Sequence, residues 1–160
     1  MRAWAALLTT IVIAALSATA ARAESATCDV PVIKASPGDP QKGLQLDPSL
    51  ERLKPYLTKA PFTSWHEFKM MDANHVQVPA NGSATFALPN GRQATLTFFG
   101  HATGSDEHRL RLKLVVEHPE KHHKVLDTTF VLDEGGVMLH VGQQKETGVW
   151  IVAVSCKTHD

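Results

Sequence analysis

Apolar and polar residues alternate with period two through most of the chain from residue 64 onward, and that pattern admits few folds. Leu110, Leu112, Leu114 and Val116 alternate with Arg109, Arg111, Lys113 and Glu117, which describes a strand with one buried and one solvated face. Ala84, Phe86 and Leu88 alternate with Ser83, Thr85 and Ala87. Asn90-Gly91 follows, and Ala94, Leu96 and Phe98 resume the pattern. An Asn-Gly pair supplies the two positive φ values of a tight hairpin turn. Leu126, Thr128, Phe130 and Leu132 form a further strand closed by Asp133-Glu134-Gly135-Gly136, and Val149 to Val154 is apolar at every position. The continuous run predicts a strand covered on both faces. With 64–71, 74–80 and 136–141, the count is about eight short strands with turns near every tenth residue. The expected fold is mainly β: an antiparallel sandwich or a small closed barrel with one short N-terminal helix.

That helix is predicted over 48–58. Asp47 offers an N-cap, Pro48 suits the first helical position, and Leu50, Leu53 and Leu57 with Tyr56 form an apolar stripe. Residues 24–46 read as an irregular arm, because Pro31, Pro37, Gly38, Pro40 and Gly43 interrupt them. The domain proper is then 47–160. Asn81-Gly82-Ser83 matches an N-glycosylation pattern and equally an ordinary turn.

The first 23 residues read as an export signal. Arg2 gives the positive start, Leu7 to Leu16 the apolar run, and Ala21-Arg22-Ala23 the small-x-small cleavage pattern. No later apolar run reaches the roughly 18 residues that a membrane-spanning helix needs, so a soluble periplasmic or secreted protein is expected. Cleavage after Ala23 leaves 137 of the 160 residues, enough for one domain with its own core. Lys and Arg total 16 against 16 Asp and Glu. Losing Arg2 and Arg22 leaves the mature chain slightly acidic, which argues against nucleic-acid binding.

The chain has two cysteines, Cys28 and Cys156, and an even count in an exported protein reads as a disulfide. A lipid anchor on Cys28 is the rival reading, but Ser25-Ala26-Thr27 lacks the residues that such a site requires. A reactive or metal-binding thiol is the other alternative.

Nine histidines are the one compositional excess that invites chemistry. His118, His122 and His123 fall within six residues of a predicted hairpin loop and form a candidate Cu²⁺ or Zn²⁺ site. Lys121 and Lys124 stand beside it, and adjacent His122 and His123 tend to point apart. A softer site of His66, Met70, Met138 and His140 requires 64–71 and 136–141 to be neighbouring strands. Arg109, Arg111 and Lys113, preceded by His108, form a basic outward stripe suited to an acidic partner or surface, or to solvent alone. No G-x-S-x-G, HExxH or phosphate-binding glycine loop is present. The residues therefore predict a non-catalytic exported β-domain that binds a partner in the cell envelope through the stripe and the 104–108 and 118–124 loops. It needs no cofactor; histidine-mediated Cu or Zn binding is the alternative function, and a hydrolase with a spatially assembled triad comes last.

Overall fold

In a computed structural model, the described residues are 24–89, 91–104, 108–118, 120, 123–142 and 147–159. The export signal, Asn90 and His122 lie outside them. Nine strands form two sheets. The five-stranded sheet runs in the order β2 (Gln45–Leu46), β3 (Glu67–Pro79), β1 (Ser25–Ser36), β9 (Val149–His159) and β8 (Met138–Val141). The four-stranded sheet runs β4 (Gly82–Ala87), β5 (Gln93–His101), β6 (Arg109–His118) and β7 (His123–Asp133). All pairings are antiparallel except the short β2–β3 contact. The predicted β-rich fold is therefore present, as a two-sheet sandwich rather than a closed barrel.

The alternating strands do what their period requires. Leu96, Phe98, Leu110, Leu112 and Leu114 of the smaller sheet pack against Ala26, Cys28, Val30, Val32, Val152 and Val154 of the larger one. The hairpin joining β4 to β5 has Ala87 opposite Gln93, and Gly91 lies at φ +72. Asn81 turns the chain from β3 into β4 with φ +56, a conformation Asn tolerates better than most residues.

Residues 24–46, expected to be an irregular arm, instead contain β1, a twelve-residue strand in the middle of the larger sheet. Pro31 hides this strand from the sequence, since proline ordinarily excludes a central strand. Here the strand continues past it: the β1–β9 register is interrupted at Val30 and Pro31, while β3 pairs along both residues. The predicted strands 64–71 and 74–80 are one strand, β3. A bulge opposite Val32 and Ile33 inserts Met71, so the outward positions change from Phe68 and Met70 to Ala73 and His75.

The larger sheet has a second, smaller core on its other face. Ile33, Ala35, Phe68, Val149 and Ile151 are covered there by Leu50, Leu57 and Phe62. The covering segment is a 3-10 turn at Pro48–Leu53 that leads into a one-turn helix, α1 (Lys54–Leu57). The Asp47 carboxylate caps it, accepting from the Ser49 amide at 3.0 Å and the Ser49 hydroxyl at 2.6 Å. Those bonds hold the Asp47 carboxyl below its ordinary pKa. The run Val149–Val154 is buried on both faces as expected: Val152 and Val154 face the sandwich core, and Val149 and Ile151 face the helical cover.

Cys28 and Cys156 are directly opposite in β1 and β9, with Cα atoms 4.1 Å apart, and form the expected disulfide. Such bonds persist in oxidising compartments, so the folded chain belongs outside a reducing cytoplasm. Among the described residues, no helix is long and apolar enough to cross a membrane.

Among the described residues, one polar side chain enters the sandwich core. His140 of β8 packs edge-on to Phe130 of β7, with ring centroids 4.6 Å apart, and its Nε2 has no hydrogen-bond partner among the described residues. Burial pushes its pKa down from 6.5 to about 4. The unfolded chain takes up this proton more readily, so His140 leaves stability unchanged above about pH 6.5. Between there and pH 4 it lowers stability, by roughly 2 to 3 kcal/mol at the bottom of the window. A small cavity beside the ring gives His140→Phe room to pack. We expect that variant to lose less stability than wild type between pH 7.5 and 4.5 in denaturant titrations. Equal losses in the two proteins would show that His140 is not the cause.

Candidate functional site: a groove on the outer face of the larger sheet

The helical cover occupies only half of the outer face. Beneath it the outward side chains are large and apolar, namely Ile33, Phe68, Met70 and Ile151. Beyond its edge the same strands present Asp29 and Pro31 (β1), Ala73 and His75 (β3), and Ala153 and Ser155 (β9). These shorter side chains leave a trough of about 410 Å³, within the usual range for ligand clefts. Ser49, Arg52, Leu53 and Tyr56 form one wall, and Gly135 and Val137 of the β7–β8 connection close the other side. Residues three and four apart share a helical face, which explains why Ser49, Arg52 and Tyr56 line the groove together. Leu50 and Leu57 turn instead into the smaller core.

A row of polar groups crosses the floor. His75, Asp29 and Ser155 are paired positions on three adjacent strands. The His75 Nδ1 lies 2.7 Å from the Asp29 carboxylate, which orients the ring. Arg52 on the wall is exposed and has no ion pair among the described residues. The row runs His–Asp–Ser, with the carboxylate between the other two. A Ser–His–Asp relay needs the imidazole in the middle, within hydrogen-bond reach of the hydroxyl. Ser155 and His75 therefore do not form the triad of a serine hydrolase. The groove is equipped to hold a ligand through donors, acceptors and the Arg52 guanidinium, which has no ion pair among the described residues.

The basic stripe lies on the outer face of β6, as expected, but its charges are engaged within the molecule. Arg109 approaches Asp133 at 3.4 Å, and Lys113 lies 3.0 Å from Asp127, which also binds Lys124 at 2.8 Å. The two lysines hold the Asp127 carboxyl below its ordinary pKa. Arg111 covers the Phe99 ring, 5.6 Å from its centroid. The strand is also internal to its sheet, so the stripe does not protect an edge. In the 104–108 loop, residues 105–107 lie outside the described residues, and His108 is 3.9 Å from Glu134.

His118 and His123 face each other across the β6–β7 hairpin as a paired position. The Nδ1 of His118 is buried and has no hydrogen-bond partner among the described residues. This pair supplies two imidazoles, half of a tetrahedral zinc set. Among the described residues, no group of three or more His, Cys, Asp or Glu is placed to hold a metal. The softer site is overturned by the strand order: β3, carrying Met70, is separated from β8, carrying Met138 and His140, by β1 and β9. His66 is bonded instead to the Pro37 carbonyl at 3.1 Å.

The groove residues Asp29, Arg52, Tyr56, His75 and Ser155 do not emerge from the sequence as candidates. The one local signal is the spacing of Ser49 and Arg52 on the polar side of the predicted helix, with Tyr56 at the border of its apolar stripe. Comparisons with protein-family models, with curated proteins and with solved structures returned no match to this chain.

Proposed function

We propose that this chain is an exported, non-catalytic binding domain whose partner docks in the groove on the outer face of the larger sheet. The observation that carries this reading is the trough itself. Short side chains replace long ones beyond the edge of the helical cover, and Arg52, which has no ion pair among the described residues, stands on its wall. The basic stripe offers less, because each of its cations already has an intramolecular partner. The His–Asp–Ser order supports binding over hydrolysis. The export pattern of residues 1–23 and the disulfide support a periplasmic or secreted setting, with a partner in the cell envelope.

Ala73 is exposed on the floor, so a larger side chain there fills the trough without entering a core. We expect Ala73→Trp to reduce capture of the native partner at least tenfold while leaving the thermal midpoint nearly unchanged. Reversing the stripe, with Arg109, Arg111 and Lys113 all changed to Glu, is expected to leave capture within about threefold. Quantitative co-purification from the host envelope reads both variants. Loss of capture by the stripe variant, with Ala73→Trp behaving as wild type, would move the binding surface to the smaller sheet.

A further inference from the structure

We infer that the groove recognises the C-terminal end of an extended peptide, with the free α-carboxylate held by Arg52. This inference rests on the binding reading above and specifies what the groove takes. Charge complementarity is the first argument. On the floor the Asp29 carboxylate accepts a hydrogen bond from the His75 Nδ1 at 2.7 Å, so one of its oxygens is already occupied. Arg52 has no ion pair among the described residues, and its planar guanidinium suits bidentate contact with a carboxylate.

The polar inventory is the second argument. A simple hydrocarbon acid would leave Ser155, the Tyr56 hydroxyl and His75 without a role, although all three residues line the trough. A peptide main chain presents alternating N–H and C=O groups that such side chains can satisfy. Pro31, Ala73 and Ala153 provide a shallow apolar floor for a terminal side chain, and Leu53 and the exposed Tyr56 ring provide its wall. An anchored carboxylate with an adjacent apolar pocket is a general way to read a chain terminus.

The test uses the mature, disulfide-bonded chain and two pools of N-acetylated hexapeptides ending in Leu, Val or Phe. The pools are identical except that one carries free C-terminal acids and the other C-terminal amides. Native mass spectrometry measures occupancy at matched concentrations. The proposal predicts that the acids bind about ten- to a hundredfold more tightly than the amides, the range expected for losing one charged hydrogen-bonded contact. Arg52→Gln should erase that difference without changing the thermal midpoint, and Arg52→Lys should recover part of it. Equal binding of acids and amides overturns the proposal, as does binding of neither pool. A preference for acids that survives Arg52→Gln also overturns it. The wider groove reading is decided separately by the Ala73→Trp capture experiment, so the two can fail independently.

Discussion

Removing the Cys28–Cys156 bond lowers the stability of the domain by about 3 to 5 kcal/mol and its Tm by roughly 10 to 20 °C. The two residues are separated by 128 positions in sequence, so the bond closes nearly all of the described chain into one loop. Long loops lose the most unfolded-state entropy when they are cross-linked. The bond also joins β1 to β9, the central pair of the larger sheet, where opening one ladder exposes both cores. The cleanest comparison is the Cys28→Ala, Cys156→Ala double variant against oxidised wild type, because alanine leaves no buried hydroxyl. Urea titration with both proteins at neutral pH measures the difference. A change below about 1 kcal/mol would mean that the unfolded chain is already compact or that the closure carries strain.

Gly148→Ala should rival that loss, at about 2 to 4 kcal/mol, by forcing apart two strands. A Cβ built at Gly148 overlaps the Ala35 carbonyl oxygen, and the residue has φ +133. The obstacle is backbone in a central strand, so no side-chain rotation relieves it. Val149 follows directly and is paired with Ala35, which means that any retreat pulls β9 away from β1 where the smaller core begins. Gly91→Ala is the control. It also has positive φ, but nothing lies within 4 Å of its added Cβ, so it should cost about 1 kcal/mol. Chemical denaturation of both variants checks the contrast. Equal losses would show that backbone conformation, and not the close approach to Ala35, governs the site.

The amphipathic strands were legible because one period decides both secondary structure and burial. Leu110 to Val116 in β6 and Ala94 to Phe98 in β5 each have a solvated face, and their sequences alternate accordingly. Val149 to Val154 was legible for the opposite reason: two cores require two apolar faces. The first strand was hidden because Pro31 is read locally, whereas its missing N–H matters only against the neighbour it faces. Its buried set, Ala26, Cys28, Val30 and Val32, does alternate, but Ala and Cys give a weak apolar signal.

The groove was hidden for a different reason. It depends on where the cover over residues 48–57 stops and on which three strands lie side by side. Asp29, His75 and Ser155 are far apart in sequence and meet only through the β3–β1–β9 order. Likewise, the Arg109, Arg111 and Lys113 pattern correctly announced an outward face but said nothing of Asp133, Asp127 and Phe99, which occupy those cations in the fold.

The most direct measurement of the central claim is site-specific photocrosslinking in the native host. A photoreactive phenylalanine analogue is introduced in place of Tyr56 on the groove wall, and separately in place of Arg111 on the outer face of the smaller sheet. Neither position belongs to a core, so both variants should fold. The account predicts a discrete crosslinked product from position 56 that Ala73→Trp abolishes, and none from position 111. A product from position 111 alone would place the binding surface on the opposite sheet and contradict the account.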